Sequence, residues 1–216
     1  MPEEFHCENG ELHAEKLPVS ALADKYGTPL YIYSKEHLQS QYRLLSDALA
    51  ELGPIICYSV KGNSNRGVLE TLSAMGAGAD VVSGGELYRA LQAGFDPARI
   101  AFAGVGKTVA EIEYAIQQGI LFFTVESEPE LERISACANA LGRTARIAIR
   151  VNPDVDPNTH KYTSTGKKEN KFGIDLERAE KAYAQAASLP GIEISGIHMH
   201  LGSPIASIEP YAEAIG

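Results

Sequence analysis

Short apolar runs alternate with longer amphipathic stretches along most of the chain. The runs are rich in Ile, Val, Ala and Phe, which predicts strands, and apolar residues recur at helical spacing between them. The predicted strands lie at residues 55–60, 79–82, 100–103, 121–125, 145–151 and 194–200. The helices predicted between them lie at residues 64–75, 84–93, 109–118, 128–140 and 175–188.

This alternation predicts parallel βα units, but two architectures share the pattern. One is an open doubly wound sheet, and the other is a closed (β/α)8 barrel. A complete barrel needs two further strands and usually about 250 residues, whereas this chain has 216 and stops inside a predicted helix at residues 209–216. If the fold is a barrel, we therefore expect it to be truncated to about six βα units.

The first 33 residues are not part of this alternation of strands and helices. A short helix is predicted at residues 18–26 and a strand at 30–33. Ser34 is expected to cap the helix that follows. We therefore divide the chain into an amino-terminal prelude at residues 1–33 and an incomplete barrel domain at residues 34–216.

Composition and charge exclude several classes of protein. The net charge of −9 disfavours a surface that tracks nucleic-acid phosphates. No apolar run is long enough to span a membrane, and the amino terminus has no signal-peptide pattern. The three cysteines form no CxxC pair, so we expect reduced thiols in a cytoplasmic protein.

Lys61 is the first candidate for chemistry. It directly follows the apolar run at residues 55–60, and small polar residues, Gly62 and Asn63 first, come after it. Barrel enzymes keep their active sites at the carboxyl ends of their strands. One interpretation is a solvated surface lysine; the other is a desolvated amine that attacks a carbonyl, such as the aldehyde of pyridoxal phosphate.

Residues 101–108 nearly spell a phosphate-binding P-loop. The pattern requires glycine at its first position, where this chain has Ala101. Thr108 and Glu111 are also spaced as a capping box for the next helix, which explains them without a nucleotide. The irregular segment at residues 152–171 contains several lysines, which could attract an anion or simply keep a loop solvated.

His198 and His200 are two residues apart in a predicted strand, so both are expected on one face. Such a pair could bind zinc, with His160 as a further ligand. Alternatively, one imidazole could lie against an aromatic cofactor ring. The Gly202-Ser203 turn that follows exposes N–H groups and a hydroxyl, which suit a phosphate.

Two charged residues also fall at predicted strands. Asp80 begins one of them, and Ser83 and Glu86 after it are spaced as a capping box. Arg150 lies near the end of another strand. It could bind a phosphate or carboxylate through two hydrogen bonds, or could form a salt bridge with Asp80 or Glu86.

Taken together, these motifs resemble the alanine-racemase-like pyridoxal-phosphate decarboxylases, and within that family the diaminopimelate decarboxylases most. Tyr58-Ser-Val-Lys61-Gly-Asn63 resembles the family's lysine motif. The other similar segments, in chain order, are Gly27-Thr-Pro-Leu-Tyr-Ile-Tyr, Gly78-Ala-Asp80-Val-Val-Ser-Gly-Gly-Glu86-Leu, Phe102-Ala-Gly-Val-Gly-Lys-Thr108, Arg150-Val-Asn-Pro-Asp154, the His160 to Gly173 segment and His198-x-His200-x-Gly-Ser203.

The resemblance implies a role for each candidate. Lys61 would carry pyridoxal phosphate as a Schiff base and return a proton. His200 would stack on the pyridine ring, and Ser203 would contact the phosphate. Asp80 and Arg150 would line the pocket and hold Lys61 in place. The implied reaction converts meso-diaminopimelate to L-lysine and carbon dioxide, and no metal is implied.

This sequence also departs from the family. Members are longer and have a later glycine-rich phosphate loop, a glutamate facing the ring nitrogen, a Glu-Pro-Gly-Arg motif and a carboxy-terminal β-domain, all absent from these residues. A homodimer is implied for the full-length protein, and weak or no activity for this chain alone. The alternatives are a single-domain pyridoxal-phosphate carrier without decarboxylase activity and a zinc hydrolase that uses His198 and His200.

Overall fold

The computed structural model describes residues 4–153, 155, 172–203, 205 and 207–215. Most of the segment at residues 152–171, including His160 and its lysines, therefore lies outside the described residues. None of the helices in the described part of the chain is both long and apolar enough to cross a bilayer. All three cysteines, Cys7, Cys57 and Cys137, are free thiols.

The amino-terminal segment forms a small antiparallel sheet. Its strands are β1 (Phe5–Glu8), β2 (Glu11–Ala14) and β3 (Leu17–Pro18). Asn9 and Gly10 connect β1 to β2 with φ angles of 50° and 82°. These left-handed conformations are those of the tight turns that favour an Asn-Gly pair.

The predicted helix at residues 18–26 is confirmed as α1 (Val19–Tyr26). The predicted strand at residues 30–33 is wrong, because these residues are in no strand of the structure. Tyr31 is 85% exposed and Tyr33 58% exposed. A β-prone sequence becomes a strand only when a neighbour supplies a hydrogen-bonded ladder, and no described strand does so here.

Parallel strands and helices alternate through the rest of the chain. The strands are β4 (Cys57–Ser59), β5 (Gly78–Val81), β6 (Ile100–Phe102), β7 (Phe122–Val125), β8 (Ala145–Asn152), β9 (Ile174–Asp175) and β10 (Ile192–His198). The helices are α2 (Lys35–Ala48), α3 (Arg66–Ser73), α4 (Gly84–Gln92), α5 (Val109–Gln118), α6 (Glu128–Ala140), α7 (Leu176–Ser188) and α8 (Glu209–Ile215). Short 3-10 helices lie at Ala50–Leu52, Val60–Gly62 and Pro97–Arg99.

The strand order distinguishes the two architectures that the sequence left open. The order is β4-β5-β6-β7-β8-β10, all parallel, with β9 paired to the end of β8. Apart from the two-residue β9, each strand lies beside the one before it, so the sheet lacks the reversal of order that marks a doubly wound fold. This is barrel-type winding, and β4 and β10 are its open edges in the described residues.

Hydroxyl side chains begin several of the helices. The side chains of Ser34, Ser83, Thr108 and Ser127 each accept a hydrogen bond from the backbone N–H three residues later. Such caps satisfy N–H groups that the helix itself leaves unpaired. They fix where each βα loop ends, and therefore where the residues at the strand ends lie.

The two faces of the sheet differ in chemistry. Residues paired side by side in parallel strands project to the same face. One face is covered by helices and is apolar, with fully or almost fully buried side chains at Val81, Phe102, Phe123, Val125, Ile147 and Ile149. The other face carries Asp80, Thr124 and Arg150 among small residues such as Ala101 and Ala148. The polar side chains thus lie on the concave face.

Candidate active site at the carboxyl edge of the sheet

Asp80 and Ser59 are neighbours in the strand register and share the concave face. Ser59 Oγ donates a hydrogen bond to Asp80 Oδ2 at 3.2 Å. Burial raises the pKa of Asp80, while the positive charges of Lys61 and Arg150 act in the opposite direction. The carboxyl is therefore partly desolvated and lies within the electrostatic reach of both cations.

Lys61 lies in the 3-10 turn Val60–Gly62, directly after β4. Its side chain is exposed, so of the two interpretations that the sequence left open the described structure shows a solvated amine. The reason is its position beside an edge strand, because no described strand covers it on the outer side. The amine is accessible and makes no ion pair with another described residue.

Arg150 is buried near the carboxyl end of β8, where it is 7% exposed. Its Nη1 donates to Glu126 Oε2 at 2.9 Å, and its guanidinium lies 5.6 Å from the Phe172 ring centroid. The alternative of a salt bridge between Arg150 and Asp80 or Glu86 is wrong, because the ion pair of Arg150 is with Glu126. Glu126 takes that place because it directly follows the neighbouring strand β7, which brings its carboxylate beside Arg150.

Glu86 has a local structural role. Its backbone N–H donates to Ser83 Oγ, as the capping-box spacing predicts. Its own carboxylate, however, accepts from the backbone N–H of Val82 at 2.9 Å. Glu86 thus fixes the turn between β5 and α4, close to Asp80.

The two histidines differ from the prediction that both lie on one strand. His198 is the last residue of β10 and pairs in register with Arg150, whereas His200 lies beyond the strand. Burial, reinforced by the charge of Arg150, lowers the pKa of His198 to about 4. Burial also lowers the pKa of His200, followed by the charges of Arg150 and Lys61. Both imidazoles are therefore neutral near pH 7.

The zinc hypothesis gains no third ligand from the described residues. The groups of His, Cys, Asp and Glu close enough to share an ion in that part of the chain do not include His198 or His200. His160, the predicted further ligand, lies outside it. A zinc hydrolase is therefore not favoured.

Ser203 lies in a bend after β10 and is exposed. Leu201, two residues earlier, is buried, at 3% exposed. An exposed hydroxyl at this edge is accessible to a ligand. The contact of Ser203 with a phosphate stays a prediction.

Lys107 argues against the P-loop interpretation of residues 101–108. Its ammonium is buried and donates to Gly104 O at 2.6 Å, Thr124 O at 2.8 Å and Glu130 Oε1 at 2.6 Å. These three bonds use all the donors of an ammonium group, which leaves none for a phosphate. The alternative is confirmed, because Thr108 and Glu111 form the predicted capping box.

Unpaired polar atoms are concentrated beside Arg150. Four of the buried side-chain atoms that have no hydrogen-bond partner within the described residues are Glu126 Oε1, Arg150 Nε, Asn152 Nδ2 and His198 Nδ1. Buried polar atoms are normally hydrogen-bonded. These atoms can bond to polar groups from outside the described chain, and a phosphorylated, heteroaromatic cofactor carries such groups.

Sequence analysis missed Glu126 and Asn152. A signal was available, because the carboxyl ends of neighbouring parallel strands meet at one edge. Glu126 follows β7, and Asn152 ends β8 two residues after Arg150. Comparing all the strand ends would have grouped them with Arg150.

Known proteins with the same pattern identify the family. Residues 35–216 match the family described as pyridoxal-dependent decarboxylase, pyridoxal binding domain. The diaminopimelate decarboxylase of Pseudomonas aeruginosa is 48% identical over 211 residues, which cover 98% of this chain and 51% of that protein. The chain spans about half the length of the curated relatives that it matches.

Solved structures give the same result. The diaminopimelate decarboxylase of M. jannaschii in complex with L-lysine is 38% identical with a TM-score of 0.90, and the match covers 97% of this chain and 50% of that one. The arginine decarboxylase of Paramecium bursaria Chlorella virus is 28% identical with a TM-score of 0.75, over 91% of this chain and 51% of that one. The predicted barrel fold and the predicted pyridoxal phosphate cofactor are confirmed at the level of the family. Since the family match includes all of β4 to β10, the chain belongs to the pyridoxal-dependent decarboxylases and contains their pyridoxal binding domain.

Proposed function

We propose that this chain forms the cofactor-binding part of an enzyme that converts meso-diaminopimelate to L-lysine and carbon dioxide. The observation that carries the proposal is the convergence of Lys61, Asp80, Arg150 and His200 at one edge of the sheet, where their charges influence one another. Relatives named diaminopimelate decarboxylase support the choice of substrate, as does the relative solved with L-lysine.

Each residue of the site has a role that follows from its chemistry. Pyridoxal phosphate, when bound, supplies a sink for the electron pair that remains when a carboxylate leaves as carbon dioxide. The accessible Lys61 amine would hold the cofactor through its aldehyde, and its Nζ would return a proton. His200 offers a neutral imidazole to one face of the ring, and Ser203 a hydroxyl to the phosphate.

Asp80 and Arg150 set the electrostatics around that amine. Asp80 is a partly desolvated carboxyl whose pKa burial raises, and Lys61 is one of the cations that oppose this rise. Arg150 contributes a fixed positive charge held by Glu126. We assign both residues to holding Lys61 and the polar atoms of the ring in place.

The remaining features of the relatives are proposed for the whole protein. We propose that the whole protein acts in the cytoplasm as a homodimer, as the resemblance to the family implies. The matched relatives are about twice as long as this chain. The 216-residue chain alone is therefore expected to turn over substrate weakly or not at all.

A single-domain pyridoxal-phosphate carrier is the second candidate. It shares the expected attachment at Lys61 and differs only in lacking decarboxylation. Curated relatives at 43–48% identity favour the decarboxylase, because they carry the name diaminopimelate decarboxylase.

A chimera tests the decarboxylase proposal. Residues 1–216 are joined to the second half of the Pseudomonas aeruginosa relative, and carbon dioxide and L-lysine are measured with meso-diaminopimelate. We expect turnover that Lys61→Ala abolishes and that a control at the exposed α7 lysine, Lys181→Ala, leaves unchanged. A chimera that folds and binds pyridoxal phosphate but releases no carbon dioxide would favour the carrier instead.

A further inference from the structure

The amino-terminal hairpin carries a cluster of metal-binding side chains far in sequence from the proposed active site. We propose that His6, Glu8 and His13 bind one divalent transition-metal ion of the Zn²⁺ or Cu²⁺ class. One ligand atom from each of the three residues lies within 4.8 Å of the others.

The hairpin register brings these side chains together. His6 pairs across the strands with His13, and Glu8 pairs with Glu11. Residues two apart in a strand share a face, so Glu8 lies on the same side as the histidines. The two imidazole rings are stacked, with centroids 5.5 Å apart and an angle of 15° between the planes.

The chemistry of the set suits a transition metal. Two imidazoles and one carboxylate are ligands that Zn²⁺ and Cu²⁺ accept, leaving at least one position open. Metal–ligand bonds are about 2.0–2.2 Å long, so the distances between the ligand atoms would have to shorten to roughly 3–3.5 Å. Side chains at the protein surface, such as the exposed Glu8 and the half-buried histidines, can make this movement.

A neighbouring contact orients one ligand. His13 Nδ1 lies 3.2 Å from the backbone oxygen of Glu11. With the proton on Nδ1 donated to that oxygen, Nε2 carries the lone pair for the metal, an arrangement common among ligating histidines. The carboxylate of Glu11 itself accepts a hydrogen bond from Ser20. Glu11 therefore offers a control on the same face of the same hairpin.

The test is a Zn²⁺ titration of the full, untagged chain by calorimetry, with His13→Gln and Glu11→Gln as the variant and its control. We expect affinity to fall at least tenfold in His13→Gln and to change less than twofold in Glu11→Gln. Substoichiometric Cu²⁺ should also broaden the ring NMR signals of His6 and His13 before that of His37. Unchanged affinity in His13→Gln, or broadening that begins at His37, would overturn the proposal.

A second inference concerns the buried Lys107, and it rests on the proposed function. Its contacts continue through three further charged residues to the active site. Lys107 Nζ bonds Glu130 Oε1, and Glu130 Oε2 accepts from the backbone N–H of Glu126 at 2.7 Å. Glu126 Oε2 in turn accepts from Arg150. Two carboxylates thus lie between the two cations, and the backbone N–H of Glu126 links them.

We infer that Lys107 and Glu130 are positioning residues for Arg150. Lys107 fixes Glu130 and also binds the carbonyl oxygens of Gly104 and Thr124, which belong to the loop after β6 and to β7. Glu130 then fixes the backbone at Glu126, whose side chain orients Arg150. The Lys107–Glu130 ion pair thus sets the position of Arg150 in the cofactor site.

A double variant tests this inference while leaving no unpaired buried charge. Lys107→Met with Glu130→Gln removes both charges but retains an oxygen that can accept from Glu126. We expect the dissociation constant for pyridoxal phosphate, measured by absorbance titration, to rise at least tenfold, while thermal unfolding shows that the fold persists. The control is Glu128→Gln, on the same helix as Glu130. It removes the charge from the more exposed pair between Glu128 and Arg178, and it should change the affinity for pyridoxal phosphate less than twofold.

Non-additivity separates positioning from a general loss of stability. In a Glu126→Gln background the double variant should weaken binding by less than a further twofold, because the link to Arg150 is already broken. A double variant that folds and binds like the parent would refute the inference. If the parent itself does not attach pyridoxal phosphate, it is instead the proposed function that fails.

Discussion

Removing Arg150 should destabilise the fold much more than removing an arginine from the surface. The side chain of Arg150 is 9% exposed and that of its partner Glu126 is 3% exposed. Arg150→Met keeps a long apolar side chain but deletes the charge. The Glu126 carboxylate then lies buried without its cation.

The structure sets the expected size of this effect. Breaking a buried ion pair by removing one partner costs about 3–5 kcal/mol, because the remaining charge is desolvated and uncompensated. For a chain of this size that corresponds to a fall in Tm of roughly 6–20 °C. The double variant Arg150→Met with Glu126→Gln removes both charges and should recover most of the loss.

Urea unfolding of the parent, both single variants and the double variant gives the coupling energy directly. Arg178→Met provides the control, because its pair with Glu128 has a 59% exposed arginine side chain and should contribute less than about 1 kcal/mol. If Arg150→Met costs no more than this control, the Arg150–Glu126 pair is not buried as described, and the reasoning is refuted.

Three further predictions concern caps, protons and thiols. Thr108→Ala should lower the free energy of unfolding by about 1 kcal/mol through loss of the α5 cap, and unchanged urea midpoints would contradict this. Folding lowers the pKa of His198 from an ordinary 6.5 to about 4. As the pH falls, His198 therefore takes up a proton at a higher pH in the unfolded chain than in the folded one. Stability should therefore fall as the pH drops from about 6.5 towards 4, and His198→Gln should reduce that fall in urea midpoints measured across this range. Burial raises the pKa of Cys57 to about 11, whereas Cys7 is exposed. A thiol reagent at pH 8 should therefore label Cys7 first, and equal labelling by peptide mass would count against the structure.

Local signals in the sequence predicted the helices well. The predicted helices at residues 109–118 and 128–140 match α5 and α6 at both ends. Thr108 and Ser127 make this possible, because a capping side chain acts on the backbone only three residues away. Strand ends were less accurate, and the run at residues 55–60 shortens to β4 (Cys57–Ser59) before the 3-10 turn begins.

The features that sequence analysis missed depend on contacts between distant residues. The partner of Arg150 is set by the register of β7 against β8, which the pattern of either strand alone does not contain. The burial of Lys107 depends on its ion pair with Glu130, which lies in α6. The hairpin around Asn9 and Gly10 had a local signal in its turn residues that the sequence analysis did not use.

Attachment of the cofactor tests the central claim most directly. The full chain is incubated with pyridoxal phosphate, reduced with borohydride, digested and mapped by mass. The account predicts one stable phosphopyridoxyl group, on the peptide that contains Lys61, and none in Lys61→Ala. A label on another lysine, or no label on the folded chain, would contradict it.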